Sequence, residues 1–155
     1  MKQNLTVFSL VGILYVFIEV GFTAIEKAQL SLIGQSSLWM MLVGGLMGVV
    51  LGKLNSFDSF MKRNHFVNIL IGATAITLME LISGIVLNIW LGFNIWDYSE
   101  SSINFLGQID LLHSICWILI TPFAYWIDDV IKYYIYQNPK PKPVICYYYR
   151  NVRGY

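Results

Sequence analysis

The chain is built from four long apolar runs joined by short polar segments. The runs cover residues 5–25, 37–54, 66–91 and 103–127. They lack the strict alternation of a β-strand, and each is long enough to cross a hydrocarbon core of roughly 30 Å as a helix. Because lipid supplies no hydrogen bonds to a free backbone, spanning segments must be helices or a closed barrel. The pattern therefore predicts an all-α integral membrane protein, with a four-helix transmembrane bundle in residues 1–131.

Two of the runs carry additional signals. No small-x-small cleavage site follows the first run, so we expect it to be retained as a helix rather than removed as a signal peptide. In the second run, Gly44, Gly48 and Gly52 recur at intervals of four residues. Such a stripe lets another backbone approach closely, and it predicts a tight helix-helix contact on this face.

Composition supports a membrane protein, and the charge pattern indicates its orientation. Hydrophobic residues make up 57% of the chain and charged residues 12%, whereas about a quarter of an ordinary soluble domain is charged. The net charge of +1 argues against a nucleic-acid partner. Lysine and arginine flank the connection between the second and third runs and follow the fourth, but none lies in residues 92–102. Both termini are therefore predicted to be cytoplasmic, with the loop around Asp97 outside.

The last segment, residues 132–155, is predicted to be a basic and aromatic cytoplasmic tail. Its Pro139-Lys-Pro-Lys-Pro143 stretch predicts a stiff, extended spacer. The final tyrosines and arginines suit either the anionic leaflet of the membrane or a partner protein.

Two carboxylates lie inside apolar runs. Glu80 falls near the middle of the third run, on one face with Thr77, Gly84 and Asn88, and it is too deep for its short stem to reach water. It must be protonated, paired, hydrated or bound to a metal, because an isolated ion in hydrocarbon is prohibitively costly. Glu19 lies towards the outer end of the first run, where it either faces the bundle or reaches the outer interface. Together they predict an acidic site in the outer half of the membrane.

Further polar residues surround the connection between the third and fourth runs. Trp96 and Tyr98 are typical interfacial residues, and they place Asp97 against the predicted mouth of the bundle. On the predicted fourth helix, Asn104 and Gln108 lie one turn apart. The predicted substrate-binding residues are Glu19, Glu80, Trp96, Asp97, Tyr98, Asn104, Gln108 and Asp110.

Asp110 and His113, three residues apart on the same predicted helix, allow three interpretations. The pair could ligate a metal, or the aspartate could orient the imidazole for proton transfer. Alternatively, both residues belong to a hydrogen-bonded network between helices.

Several of these residues resemble a known family. The set Glu80, Gly84, Trp96-Asp97-Tyr98-Ser99, Asn104, Gly107-Gln108 and Trp117 resembles the bacterial ABC-transporter type IV family of permease-like membrane proteins. Gly12, Tyr15, Glu19 and residues 36–40 are similar to earlier elements of that family. The chain departs from the family at Val43-Gly44, where a Tyr-Gly pair is expected. The resemblance implies a multi-helix protein of the bacterial cytoplasmic (inner) membrane.

The resulting functional prediction is a permease-like or solute-binding subunit whose acidic intramembrane site opens to the outer side. The sequence has no Gly-x-x-x-x-Gly-Lys-Ser/Thr phosphate loop, so an ATP-driven role requires a separate ATPase. Four helices also suggest a homo-oligomer or other membrane subunits as partners. An intramembrane enzyme, with or without a metal, and a structural scaffold are the alternatives. The enzyme is less favoured because no paired-histidine motif or Ser-His-Asp spacing supports it, and the sequence identifies no cofactor.

Overall fold

Four long helices dominate the computed structural model, which describes residues 2–26, 38–57 and 63–149. The prediction of a mainly helical chain is confirmed. The long helices are α1 (Lys2–Glu26), α2 (Leu38–Leu54), α3 (His65–Gly84) and α4 (Leu111–Tyr136), and a π-helical segment, Ile85–Trp90, continues α3. The smaller elements are strands β1 (Asn104–Phe105) and β2 (Ile109–Asp110) and the single helical turn α5 (Cys146–Tyr149).

The predicted start of the fourth helix at residue 103 is wrong. Strands β1 and β2 instead form an antiparallel hairpin, in which Asn104 pairs with Asp110. Leu106 and Gly107 in its turn have φ angles of 56° and 67°, which a right-handed helix excludes. The Asn104 side chain stabilises the turn by accepting the Gly107 N–H at 3.0 Å. Asn104, in β1, and Gln108, in the turn region, therefore belong to a β-hairpin and do not lie one helical turn apart.

Helix α4 begins at Leu111 because Asp110 caps it. The extended backbone of Asp110 lets its side chain accept the His113 N–H, which is one of the free donors of the first turn. The helix then continues past residue 127, where the sequence predicted its end, and past the predicted domain boundary at 131/132. It ends at Tyr136, where Gln137 adopts a left-handed conformation.

The glycine stripe of α2 lies at close helix-helix contacts, as predicted, and the structure shows that Gly44 and Gly48 face α1. A Cβ on Gly44 would lie 2.7 Å from the Tyr15 side chain, and one on Gly48 would lie 2.7 Å from Val11. Any larger residue at these positions would push the two helices apart. Gly52, at the end of the stripe, faces Asp128 of α4 instead. The stripe thus brings α2 close to two helices in turn.

The surface of the helices is apolar, which is the reverse of a soluble protein. Phe17, Ile82 and Leu119 are 69%, 61% and 63% exposed. Segments His65–Trp90 and Leu111–Tyr136 are long and apolar enough to cross a membrane, and Lys2–Ile18 and Leu38–Leu54 are shorter apolar helices. A soluble monomer rarely exposes so much contiguous apolar surface. These features indicate membrane association.

Among the residues that the structure describes, the interior contains an apolar core and two polar clusters. The core consists of Met47, Leu51, Ile76, Tyr125 and Tyr147. The first polar cluster, the Glu80 network, comprises Glu80, Asn88, Trp96, Tyr98, Gln108 and Trp117. The second, the Asp128 network, comprises Asn55, Ser56, Asp128, Asp129, Lys132 and Tyr147. Trp117 and Asp128 are separated by a rise of roughly 16 Å along α4.

The C-terminal segment folds back onto the bundle within the described range. Tyr147 of α5 is only 3% exposed and belongs to the apolar core. The tail was predicted to face either lipid or a partner, and this tyrosine does neither. Residues 150–155 lie outside the part of the chain that the structure describes.

Candidate functional site

Glu80 lies at the centre of the first polar cluster and joins three elements. It shares the buried face of α3 with Ala73, Ile76 and Gly84, so its side chain points at α4 rather than at lipid. Its Oε2 accepts the indole N–H of Trp117 on α4 at 2.8 Å, and its Oε1 accepts the hydroxyl of Tyr98 at 3.1 Å. The residue is 6% exposed. Both hydrogen-bond partners that the described residues supply are neutral.

Asn88 holds the connecting loop to the end of α3. Its Nδ2 donates to the Gln108 Oε1 at 2.8 Å and to the Trp96 carbonyl at 2.9 Å. Its Oδ1 accepts the Ile95 N–H at 2.7 Å. Gly84 makes room for this arrangement, because a Cβ there would lie 2.6 Å from the Gln108 Oε1. Asn88 lies in the π-helical segment, a feature that often marks functional sites in helices.

Trp96, in the connecting loop, joins the same network. Its indole N–H donates to the Gln108 carbonyl at 3.0 Å. The loop backbone is also tied to the hairpin, since the Tyr98 N–H donates to the Gly107 carbonyl at 2.7 Å. Residues 92–110, the capping loop, therefore form a hydrogen-bonded cover over the Glu80 end of α3 and α4.

Tyr98 is the residue of the capping loop that reaches Glu80. Its ring stacks on His113, with centroids 4.4 Å apart and planes 20° from parallel. Burial raises the pKa of Tyr98 far above its ordinary value, and the nearby charge of Glu80 raises it further. The phenol therefore remains protonated and acts as a hydrogen-bond donor.

Asp110 and His113 form a pair, but the pair is accounted for by helix capping. The Asp110 Oδ1 accepts the His113 N–H at 2.8 Å and approaches the His113 Nδ1 to 2.7 Å. Burial opposes ionisation of Asp110, yet the hydrogen bonds from His113 outweigh it and hold the pKa below its ordinary value. Within the described ranges, no group of three or more His, Cys, Asp or Glu side chains could hold a metal ion. The predicted Asp110–His113 metal pair therefore has no third ligand of these types there.

Two predicted site residues, Asp97 and Asn104, form hydrogen bonds within the capping loop. Asp97 is exposed and accepts the Ser99 N–H and hydroxyl at 2.9 and 3.0 Å, which forms a local turn. The Asn104 Nδ2 donates to the Ser101 carbonyl at 2.7 Å. Neither side chain contacts Glu80, and both shape the loop that does.

The structure thus brings together Glu80, Trp96, Tyr98 and Gln108, with Asp110 adjacent through His113. Asn88 and Trp117 contribute to the site although they were not among the predicted binding residues. Glu19 lies in α1, and its side chain is outside the described residues.

The Asp128 network was not predicted as a site. Asp128 and Lys132 lie one turn apart in an apolar helix, and this i,i+4 charge pair was the signal that could have revealed it. The Lys132 Nζ donates to the Asp128 Oδ2 at 2.6 Å, the Ser56 Oγ at 2.9 Å and the Gly52 carbonyl at 3.2 Å. Asp128 is 2% exposed, and the neighbouring Asp129 is 6% exposed.

Asn55 and Tyr147 complete this second network. The Asn55 Nδ2 donates to the Asp128 Oδ2 at 3.2 Å and to the Asp129 Oδ1 at 3.1 Å. The Tyr147 hydroxyl donates to the Asp129 Oδ2 at 2.7 Å. The cluster therefore fastens α4 to the end of α2 and to α5.

Comparison with protein families gives one assignment. A family model described as "Putative ABC-transporter type IV" matches residues 4–150, nearly the whole chain. Comparison with curated proteins and with solved structures gives no match. The chain belongs to this ABC-transporter type IV family, which confirms the resemblance seen in the sequence.

Proposed function

We propose that this chain, as a member of the ABC-transporter type IV family, is a membrane subunit of a transport assembly and binds a cationic solute at the Glu80 network. The observation that carries the proposal is the environment of Glu80. Its carboxylate is buried, and its partners in the described residues, Tyr98 and Trp117, are neutral. The attraction between opposite charges is much stronger in such a low-dielectric interior than in water. A solute that brings a positive charge and N–H donors fits this environment.

The Glu80 carboxylate can accept further hydrogen bonds from such a solute. It can accept about four hydrogen bonds, and the described residues supply one to each oxygen. The two donors also differ in kind: Trp117 is fixed within α4, whereas Tyr98 belongs to the capping loop. We propose that Tyr98 leaves Glu80 when the solute enters, so that the capping loop acts as the cover of the site.

The charge pattern supports entry from the outer side of a bacterial cytoplasmic membrane. Lys2, Lys53 and Lys132 lie at the end of the bundle opposite the capping loop, which contains Asp97 and Glu100 but no lysine or arginine. By the positive-inside tendency, the capping loop faces outward and both termini face the cytoplasm. We propose that α1 to α4 all cross the membrane as a four-helix, multi-pass domain.

A thermal-shift panel tests the solute site. The detergent-purified protein is screened with small ammonium compounds, namely amino acids, polyamines and quaternary amines, and with carboxylic acids as the opposite charge. We expect ammonium compounds to raise the unfolding temperature of the wild type and of Glu100→Gln, but not that of Glu80→Gln. Glu100 is a matched control because it is an exposed carboxylate of the same loop. Stabilisation that survives in Glu80→Gln would contradict the proposal.

An ATP-driven role requires another chain, because this sequence has no phosphate loop. We propose a separate ATPase, and a homo-oligomer or additional membrane subunits to complete the pathway. Affinity purification from native membranes should recover a protein with a Gly-x-x-x-x-Gly-Lys-Ser/Thr motif in fixed ratio to this chain. Recovery of the chain as a lone monomer would count against the assembly.

A further inference from the structure

Two cavities meet at Asp128, at the end of the bundle where α1 begins and α2 and α4 end. The first has a volume of about 460 Å³ and is mixed in polarity, with Gln3, Asn4, Lys53, Ser56, Asp128 and Lys132 among its lining residues. The second is a narrow crevice of about 80 Å³. Its walls are almost entirely apolar and come mainly from α1, α2 and α4, including Ile18, Ile120 and Phe123, with Ile76 from α3 and Asp128 as the polar residue. Asp128 thus lines both a cavity of mixed polarity, called the polar cavity below, and an apolar crevice.

Asp128 is incompletely satisfied at this junction. Its Oδ2 accepts hydrogen bonds from Lys132 and Asn55. Its Oδ1 is buried and has no hydrogen-bond partner in the part of the chain that the structure describes. Such a buried oxygen costs the full desolvation of a charged acceptor, so the junction favours a ligand that can donate a hydrogen bond to it.

The remaining charges define the ligand further. The Lys132 ammonium has three N–H donors, and Gly52, Ser56 and Asp128 accept all three. It therefore has no donor left for an anion. Lys53 is exposed and lines the polar cavity, so its ammonium is available to bind an anionic group there. A headgroup that complements the cavity has an ammonium for Asp128 and an anionic group for Lys53.

We propose that these two cavities form a binding site for a membrane phospholipid with a primary-amine, zwitterionic headgroup. The ammonium binds Asp128, the phosphate lies near Lys53, and an acyl chain enters the crevice between α1 and α4. The position of the site supports this assignment, because the polar cavity lies at the ends of three apolar helices. An amphiphile with its polar part at that level has its chain directed along the helices. The polar cavity shares no residue with the Glu80 network, and the crevice shares only Trp117 with it. The inference does not depend on the proposed solute.

Native mass spectrometry of the detergent-purified full chain tests the headgroup without any mutation. The probes are phosphatidylethanolamine, phosphatidylcholine and phosphatidylglycerol with identical acyl chains. Phosphatidylcholine has the same charges but no N–H donor, so we expect it to bind about tenfold more weakly, the effect of one hydrogen bond to a charged group. Phosphatidylglycerol, which has no ammonium, should also bind more weakly. Equal binding of the three lipids would overturn the proposal.

Variants of the crevice test the acyl chain. Ile120→Trp fills the crevice, and the loss of contact with about two methylene groups should weaken phosphatidylethanolamine binding about tenfold. Leu119→Trp is the matched control, since Leu119 directly precedes Ile120 on α4, is more exposed and does not line the crevice. Free phosphoethanolamine should bind far more weakly than the lipid. If it binds as tightly, or if Ile120→Trp leaves lipid binding unchanged, the site does not hold a phospholipid.

Lys53→Gln examines the phosphate contact, with Lys140→Gln in the tail as its control. We expect only the first to weaken binding of phosphatidylethanolamine. Equal effects of the two would show that general positive charge, rather than this cavity, attracts the lipid.

Discussion

The Glu80 and Asp128 networks both bury carboxylates inside an apolar helix bundle, but they satisfy the charge in different ways. Glu80 receives hydrogen bonds from a phenol and an indole, which are neutral. Asp128 forms an ion pair with Lys132, one helical turn away. We propose that the first arrangement leaves a negative charge for a cationic solute to neutralise. In the second, Lys132 of the same helix supplies a counter-charge to the Asp128 Oδ2, and only the Oδ1 is left for the proposed lipid ammonium.

The two networks also differ in what they connect. The Glu80 network holds the capping loop, which is local in sequence, to the ends of α3 and α4. The Asp128 network joins α4 to α2 and to α5. A local cover can open while the bundle remains intact, whereas the Asp128 contacts must break for the helices to separate. We infer that the Asp128 network primarily stabilises the fold and the Glu80 network primarily serves function.

The largest expected effect is that of Lys132→Met. Removing the cation leaves Asp128 buried without its ion-pair partner, and we expect a loss of about 3–5 kcal/mol in unfolding free energy. The double variant Asp128→Asn/Lys132→Met removes both charges and should be clearly more stable than Lys132→Met alone. Equilibrium unfolding in mixed micelles measures both. If the single and double variants are equally unstable, the ion pair is not the cause.

A smaller loss is expected for Glu80→Gln. Glutamine retains one acceptor oxygen, but its amide nitrogen cannot accept the second donor, so one charge-assisted hydrogen bond is lost, worth about 1.5–3 kcal/mol. The same unfolding assay checks this value, with Glu100→Gln as a control near zero. An effect of Glu80→Gln as large as that of Lys132→Met would remove the distinction between the two networks.

Tyr98→Phe should affect the capping loop more than the bundle. The variant keeps the ring on His113 and loses only the bond to Glu80, at a cost of about 1 kcal/mol. We expect faster amide hydrogen exchange in residues 92–110 and unchanged exchange in the core of α3. Tyr134→Phe, at an exposed position on α4, is the matched control. Faster exchange throughout α3 would instead show that Tyr98 supports the whole bundle.

The smallest expected effect is a pH dependence from Asp110. Its folded pKa lies below the ordinary value of 3.8, so its contribution to stability is complete above that value and is lost as the pH falls through the folded pKa. The unfolding temperature should therefore drop on acidification below about pH 4, and part of this drop should be missing in Asp110→Asn. Identical acid profiles of the two proteins would mean that Asp110 does not titrate as described.

The sequence predicted the helices well where apolar runs are long. The bounds of α1, of α2, and of α3 together with its π-helical continuation follow directly from these runs, because burial in lipid and helix length impose the same pattern. The change to π-helical geometry at Ile85 was not predicted. The hairpin at residues 104–110 was missed because Asn104, Leu106 and Gly107 occur within an apolar context that a helix also tolerates. Its turn depends on local side-chain hydrogen bonds to the backbone, which periodicity does not reveal.

Burial of polar groups was harder to predict than the helices. Glu80 was identified because an acidic residue deep in an apolar run has few explanations. Asp128, Asp129 and Lys132 follow the predicted end of the fourth run at residue 127, and charges are common at membrane boundaries. Their positions in the sequence therefore gave no reason to expect burial. Their burial depends on Asn55 and Tyr147, which are distant in sequence and whose approach only the tertiary structure shows.

The most direct test of the central claim is amide hydrogen exchange with and without a saturating ammonium solute from the thermal-shift panel. If Glu80 takes the solute in place of Tyr98, exchange should change in residues 92–110 and stay constant in residues 52–56 and 128–132, and Glu80→Gln should show no change. Solute-dependent changes around Asp128, with none in the capping loop, would contradict the account.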